Sequence, residues 1–397
     1  MSLKQSRPVW RLTIFVLLML LIEFMDEFSY SALEAARPLI RDDFALNYIQ
    51  VGLITTIPIT VAIFIEPIMG LFADTSKRRL MMVAAGVLFG LGLIIQGFST
   101  SFFIFMIGMT LEAPANGVFV NIAQAALMDD APHRRENRMA LWTVSGSLAV
   151  VVGPLMMTVF VALGLNWRLF FLITGIVAVI VALAVLRLPP NPALRSTEND
   201  ETESRTVRQN LEGAWVLLRS AIVWRWLILL ECSNLMLDVL FGLLALYMVD
   251  IVGVSQAQAG IAIAVWTGIG LIGDFLLIPL LEKVRGLSYL RVSAFAELIL
   301  FPLFLLVDGW WMKLILLGII GLFNAGWYAI LQGKLYDTLG EQSGAVLIVG
   351  NAAGLFGAML PVILGTIAQI YGLDIAMWFL LAGPIALLIG LPFKDEQ

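Results

Sequence analysis

The sequence has 397 residues, of which 60% are hydrophobic and 13% are charged. Soluble domains average about 45–50% apolar and about 25% charged residues, so this composition excludes an ordinary soluble domain and a disordered chain. Its single cysteine, Cys232, and single histidine, His133, exclude an internal disulfide and a metal site built from several such residues. No nucleic-acid partner is expected, because no basic stripe on a soluble domain is present.

Apolar stretches of membrane-spanning length recur along the chain between short polar breaks. They predict twelve spans, at residues 12–36, 48–72, 79–98, 101–127, 138–163, 168–188, 220–248, 255–281, 288–307, 311–335, 343–370 and 373–393. Residues 189–212 combine prolines with a polar, acidic run, which predicts a solvated, flexible linker. This linker separates an N-terminal half, residues 1–188, from a C-terminal half, residues 213–397.

The basic residues predict the orientation of the chain. Twenty of the 24 lysines and arginines fall on the side that holds both ends of the chain and the linker. The other side has four, which are Arg37, Arg41, Arg168 and Lys313. The positive-inside rule therefore predicts a multi-pass protein of the cell membrane with both termini in the cytoplasm. The first apolar run carries carboxylates and lacks a cleavage site, so it is expected to be a retained span.

The chain repeats itself at an offset of 208 residues without gaps. The repeat matches polar residues inside apolar spans, which shared hydrophobicity does not explain. Examples are Glu23 with Glu231, Asp26 with Asn234, Glu66 with Asp274, Asn116 with Asn324 and Gln124 with Gln332. The predicted fold is therefore an all-α polytopic membrane protein with two pseudo-symmetric six-helix halves. Halves related in this way place a binding site at their interface near the membrane midplane.

The loop after span 2 reads Gly70-Leu71-Phe72-Ala73-Asp74-Thr75-Ser76-Lys77-Arg78-Arg79. It resembles the cytoplasmic motif Gly-x-x-x-Asp-x-x-Arg/Lys-Arg-Arg/Lys of the major facilitator superfamily. With the twelve spans, the repeat and the linker, the resemblance covers essentially the whole chain. In that family the motif holds the halves together on the cytoplasmic side when the cavity faces out. The predicted gating residues are Gly70, Asp74, Lys77, Arg78, Arg79, Glu66, Asp274, Glu282 and Arg285, of which the last two mirror the motif in the second half.

Spans 1 and 7 carry the acids that suggest proton coupling. On a helix, Glu23, Glu27, Tyr30 and Glu34 share one face of span 1. A carboxyl group inside a membrane favours its neutral form, because desolvation penalises the charge, so it can take up and release a proton. The predicted proton-coupling residues are Glu23, Asp26, Glu231 and Asp238. The alternative is that these acids make structural hydrogen bonds between helices.

The resemblance implies that spans 1, 4, 7 and 10 line a central cavity. The predicted substrate-binding residues there are Glu27, Tyr30, Glu112, Asn116, Asn234, Asn324, Trp327 and Tyr328. Glu34 is expected at the outer interface, where water solvates it. No lysine or arginine falls in the middle of a predicted span, which argues against phosphate esters and organic anions as substrates.

These features predict a secondary transporter that works by alternating access and exports small cationic or neutral amphipathic compounds in exchange for protons. The acidic first span resembles that of multidrug/proton antiporters of the family. Three alternatives remain: proton-driven uptake of a neutral sugar or nucleoside, transport of a divalent metal by the carboxylates, and a ligand sensor that does not transport. An enzyme is not expected, because no nucleophile–base set is visible. The expected partners are a small-molecule substrate, protons and the lipid bilayer, with no cofactor or resident metal, and the chain is expected to be a monomer.

Overall fold

A computed structural model describes residues 13–73, 78–131, 135–189, 219–339 and 343–392. These residues are nearly all helical. Asp74, Lys77 and His133 lie outside the described residues, as does all of the predicted linker 189–212 except Pro189.

Six helices form the N-terminal half. Spans 1 to 6 are Ile14–Phe44, Tyr48–Ala73, Arg78–Phe98, Phe102–Asp129, Arg135–Ala162 and Trp167–Leu186. Side-chain caps mark where several of them begin. Thr13, Ser101 and Asn166 each accept a hydrogen bond from a backbone N–H in the first turn of spans 1, 4 and 6.

The described part of the C-terminal half contains six further spans, three of which are interrupted. Span 7 joins Ala221–Asn234, a π-helical turn Leu235–Val239 and Leu240–Asp250. The continuous helices are span 8, Gln256–Leu281, span 9, Gly286–Leu306, and span 11, Ser343–Tyr371. Span 10 joins Trp310–Asn324 to Trp327–Leu339, and span 12 joins Leu373–Phe379 to Ala382–Gly390. The prediction of twelve membrane-spanning helices agrees with this architecture.

Eleven of these segments are long and apolar enough to cross a membrane. Span 1 is not among these eleven segments, because three acidic residues, Glu23, Asp26 and Glu27, lie near its centre. It has 31 residues and runs to Phe44, eight residues beyond its predicted end at Ala36. At 1.5 Å per residue it is about 46 Å long, so it reaches well past a hydrocarbon core of about 30 Å.

Among the described residues, the two halves meet along four pairs of spans. Span 2 packs on span 11, span 5 on span 8, and span 1 on both the second part of span 7 and span 8. We call the face that carries loops 45–47, 99–101, 163–166, 251–255 and 307–309 the outer face, after the orientation that the basic residues predict. The spans that join the halves begin or end there.

Hydrogen bonds tie the halves together at this outer face. The Asp250 carboxylate on span 7 accepts hydrogen bonds from Arg41 on span 1 and, at 2.7 Å, from the Tyr48 hydroxyl on span 2. The backbone N–H of Tyr48 donates to Gln369 on span 11 at 3.1 Å. We call the group Arg41, Tyr48, Asp250 and Gln369 the outer latch. It closes one end of the interface between the halves.

Span 10 is not the continuous helix that was predicted over residues 311–335. The helix stops at Asn324 and restarts at Trp327, with Gly326 at φ +72°, a left-handed conformation that favours glycine. The N–H of Gly326 donates to the Asp274 carboxylate on span 8 at 3.0 Å. Asp274 therefore satisfies a backbone group that the break leaves without a helical partner.

Candidate functional site

A cavity of about 220 Å³ lies between the halves, with walls from spans 1, 2, 7 and 11. Tyr30 and Arg37 of span 1 face it on one side, and Glu231, Asn234 and Asp238 of span 7 on the other. Glycines and apolar side chains from spans 2 and 11 complete the wall. An apolar pocket with a few convergent polar groups is the usual form of a small-molecule site.

The span 7 wall is acidic. Asp238 lies in the π-helical turn and is exposed to the cavity, while Glu231 and Asn234 are half-buried. A π-helical turn inside an α-helix is a local irregularity that is often found at functional sites. Three of the sequence-predicted residues, Glu231, Asn234 and Asp238, therefore lie together on one wall of the cavity.

The span 1 wall carries a buried ion pair that the sequence analysis did not predict. Glu34 is fully buried and Arg37 is 4% exposed. The Arg37 guanidinium donates to both carboxylate oxygens of Glu34 through Nε and Nη2. The expectation that Glu34 is solvated at the outer interface was wrong. The sequence placed no cation in the middle of a predicted span, and Arg37 lay just past the predicted end of span 1. The helix continues through Arg37 and Pro38, so this cation lies inside the observed span.

The physical reason for both differences is the pairing itself. A lone arginine is costly inside a membrane, but a bidentate carboxylate neutralises it and satisfies its donors. Thr55 of span 2 accepts a further hydrogen bond from Arg37 Nη2 at 2.5 Å, and the carbonyl of Val51 lies 3.4 Å from Nη1. The i, i+3 spacing of Glu34 and Arg37 was the signal that could have revealed the pair.

The other acids near the centre of span 1, Glu23, Asp26 and Glu27, are not part of the cavity wall. Asn116 of span 4 donates its amide to the Asp26 carboxylate at 2.5 Å. The Glu27 carboxyl is within electrostatic range of Glu23, Asp26 and Asp238. The carboxyl groups of spans 1 and 7 therefore lie close enough across the interface between the halves for a charge on one to influence the other.

Glycines leave space for the carboxyl groups of one acid on span 1 and one acid on span 7. The Glu23 carboxyl packs on Gly146 of span 5, and the Glu231 carboxyl packs on Gly357 of span 11. A Cβ atom at either glycine would collide with the carboxyl oxygen. Each half thus seats its first acid against a glycine of its fifth helix.

Three of the predicted substrate-binding residues contact other helices instead of facing the cavity between the halves. Glu112 accepts a hydrogen bond from Gln96 of span 3. Asn324 donates to the Met236 carbonyl in the π-helical turn at 3.0 Å, and fully buried Trp327 donates to Ser293 at 2.8 Å. Tyr328 is 52% exposed. In this conformation these four residues are not part of the cavity wall.

Three of the predicted gating residues, Arg78, Arg79 and Glu66, contact neighbours in their own half. Arg78 donates to the Asp129 carboxylate at 2.8 Å. Arg79 donates to the Val185 carbonyl in the last turn of span 6 and to the Leu188 carbonyl just beyond it. Glu66 packs on Gly117 of span 4. Glu282 and Arg285 lie exposed in the turn between spans 8 and 9, and Gly70 lies near the end of span 2. Asp74 and Lys77 lie outside the described residues.

A fully buried acid on span 9, Glu297, was missed by the sequence analysis. Neither of its carboxyl oxygens has a hydrogen-bond partner among the described residues. Its repeat partner 208 positions earlier is Phe89, so the comparison of the halves could not reveal it. Its presence inside an apolar run was the available signal.

Comparison with known proteins shows the family. The family model of the Major Facilitator Superfamily matches residues 19–358. The multidrug efflux pump SdrM of Staphylococcus aureus (strain N315) is 24% identical over 375 residues, which is 90% of this chain and 78% of that protein. A protein of Helicobacter acinonychis (strain Sheeba) named "Probable sugar efflux transporter" is 30% identical over 154 residues, 38% of this chain and 39% of that protein.

Two solved structures share the fold. A bacterial homologue of the human lysosomal transporter Spinster, in an inward-facing and unoccupied conformation, has a TM-score of 0.74 at 17% identity and covers 95% of this chain and 94% of its own. The nucleoside transporter NupG has a TM-score of 0.75 at 13% identity and covers 96% of this chain and 100% of its own. These likenesses indicate a membrane transporter and not an enzyme. The chain belongs to the Major Facilitator Superfamily.

Proposed function

We propose that this protein exports small cationic or neutral amphipathic compounds in exchange for protons, by alternating access between its two halves. The observation that carries the proposal is the acidic wall of the cavity. Asp238 is exposed to the space between the halves, Glu231 and Asn234 flank it, and Glu27 lies within electrostatic range. A cationic substrate and protons would compete for the same carboxylates.

The coupling follows from this competition. When the carboxyls are protonated they are neutral, and they hold a cation weakly. When they release protons, their charge attracts a cation into a poorly hydrated site. We assign Glu23, Asp26, Glu231 and Asp238 to this exchange. Protons entering from the outer side would thus displace the substrate after the cavity opens there.

The outer latch supports the alternating-access part of the proposal. It joins the halves at the outer end of their interface, so a ligand would enter the cavity from the opposite, predicted cytoplasmic end. With the predicted cytoplasmic termini, a cavity closed at the outer face would accept its substrate from the cytoplasm. The role that the family resemblance implies for the 70–79 loop, holding the halves together when the cavity faces out, belongs to the opposite state.

The names of the relatives describe those proteins, and they support a substrate class for this chain only by similarity. One is named a multidrug efflux pump and another a sugar efflux transporter, and both names describe export. The second candidate function is proton-driven uptake of a neutral sugar or nucleoside. Tyr30, Thr55 and Asn234 favour it, because these neutral polar groups of the cavity suit a hydroxylated ligand. NupG, which shares the fold, is a nucleoside transporter.

Proton movement in proteoliposomes separates the candidates. The vesicles hold a pH-sensitive dye, and a lipophilic cation, a neutral sugar or nucleoside, or a divalent metal is added under a pH gradient. We expect proton movement opposite to that of the lipophilic cation. Proton movement in the same direction as a neutral compound would favour uptake. Ligand binding with no flux of any compound would favour a sensor and contradict the proposal.

A further inference from the structure

Arg37 is a cationic donor built into the wall of an otherwise acidic cavity. It lines the cavity together with Tyr30 of its own helix, and Asp238 stands on the opposite wall. The guanidinium carries five N–H groups in a fixed planar fork. Two of them bind Glu34, and a third binds Thr55. These three bonds hold the fork rigidly at the cavity wall.

The remaining donors are at Nη1, which carries two N–H groups. Among the described residues its acceptor is the Val51 carbonyl at 3.4 Å, a long contact for a bond of this type. At least one N–H of Nη1 is therefore left for an acceptor that the described side chains do not supply. A guanidinium donor that is buried without an acceptor is costly, so a ligand that supplies one gains affinity.

Glu34 decides which kind of acceptor suits this donor. Its carboxylate neutralises the guanidinium, so the pair as a whole carries no net charge. An anionic ligand would have to enter beside Glu34 and the acids of span 7, which repel it. A neutral oxygen meets no such repulsion and can accept the hydrogen bond.

Gly242 leaves the pair open to the cavity. This glycine of span 7 lines the cavity opposite span 1. A Cβ atom placed on it would lie 3.4 Å from Glu34 Oε2 and 3.5 Å from Arg37 Cζ, which is ordinary van der Waals contact. The same Cβ would lie 3.6 Å from Nη2, so a methyl group there would cover the side of the ion pair that faces span 7 without displacing the pair.

We propose that Arg37, held by Glu34 and Thr55, is the specificity-determining donor of the cavity, and that it binds a neutral oxygen acceptor of the transported molecule. The ligand then has two ends. Its cationic or donor end faces Glu231 and Asp238, and its hydroxyl, ether or carbonyl oxygen binds Arg37. This inference rests on the proposed function, since it names the substrate class of the same cavity.

The test compares two probes that differ by one oxygen, hexyltrimethylammonium and its 6-hydroxy derivative. Their equilibrium affinities are measured for the full-length protein in lipid nanodiscs. The double variant Glu34→Leu/Arg37→Met removes the donor and leaves no unpaired charge, and replacing a buried ion pair by apolar residues of similar volume often preserves stability. Gly242→Ala covers the pair but keeps it. Gly354→Ala, which adds a methyl to the same cavity beside Ile63, controls for lost volume.

We expect the hydroxylated probe to lose about ten-fold in affinity in the double variant, as for a hydrogen bond to a charged group, and to lose several-fold in Gly242→Ala. The probe without oxygen should change by about two-fold or less in both. In Gly354→Ala the ratio of the two affinities should match that of the wild type.

The inference would be overturned if the ratio of the affinities for the hydroxylated and unhydroxylated probes were the same in the wild type, the double variant and Gly242→Ala. It would also be overturned if the wild type bound neither probe. Failure of the proposed function looks different. In that case the ratio changes as expected, but no proton movement accompanies either probe in proteoliposomes.

Discussion

Asn116 of span 4 donates its amide to the Asp26 carboxylate of span 1 at 2.5 Å, and its own carbonyl oxygen is buried without a hydrogen-bond partner among the described residues. Asn324, its repeat partner, joins span 10 to span 7 by donating to the Met236 carbonyl at 3.0 Å. In each half, an asparagine at the equivalent position thus links the fourth helix to the first by a hydrogen bond. Only the N-terminal half directs that bond to a carboxylate.

The Asn116–Asp26 bond should therefore be the stronger of the two. A double-mutant cycle of Asn116→Leu and Asp26→Asn should give a coupling of about 1.5–3 kcal/mol in the free energy of unfolding, because one partner can be charged. Asn324→Leu, which removes a bond to a neutral carbonyl, should cost about 1 kcal/mol. Chemical unfolding in detergent measures both. A coupling near zero would show that the amide does not support Asp26.

The close packing of Glu231 on Gly357 predicts a size limit on span 11. Gly357→Ala should displace the carboxyl, impair transport and cost about 1–3 kcal/mol of stability, because the added methyl overpacks the contact. Glu231→Asp shortens the side chain and should partly restore both properties in the double variant. Transport and thermal unfolding are measured on the same preparations. A fully active Gly357→Ala protein would show that the carboxyl is free to move.

The outer latch predicts a conformational effect of Asp250. In Asp250→Asn the acceptor for Arg41 and Tyr48 loses its charge, so the outer ends of the halves should separate more often. Spin labels at residues 47 and 253 should report a longer distance population by electron paramagnetic resonance. Asp43→Asn is the matched control, since Asp43 pairs with Arg168 of its own half at the same face. Equal distance distributions in the two variants would argue against the latch.

Asp274 is expected to have a capping role at the break in span 10. Asp274→Ala should destabilise the protein by about 0.5–2 kcal/mol, the range for loss of an N-cap acceptor. Asp274→Asn keeps an acceptor oxygen for the Gly326 N–H and should cost much less. Thermal unfolding in detergent distinguishes the two. If both variants lose the same stability, the charge of Asp274 matters more than its hydrogen bond.

Sequence periodicity and the internal repeat were sufficient to predict the twelve spans. The rare polar matches pointed to Glu231 and Asn234, and the seven-residue spacing from Glu231 pointed to Asp238, on one wall of the cavity. The repeat could not reveal Glu34 and Arg37, because their pairing depends on a helix that continues past the residue where hydropathy predicts its end. Nor could it reveal the break in span 10. That break depends on a positive φ at Gly326 and on an acceptor from another helix, and neither leaves a trace in apolar periodicity.

The central claim is that carboxylates between the halves exchange protons for a cationic substrate. Simultaneous measurement of proton flux and lipophilic-cation flux in the same proteoliposomes tests this claim most directly. The proteins compared are the wild type and the variants Glu23→Gln, Asp26→Asn, Glu231→Gln and Asp238→Asn. Asp308→Asn, in an exposed loop, is the control. We expect opposed proton and cation fluxes in the wild type and the control, and loss of the proton-driven cation flux in at least Asp238→Asn. Cation transport that proceeds in all variants without proton movement would contradict the account.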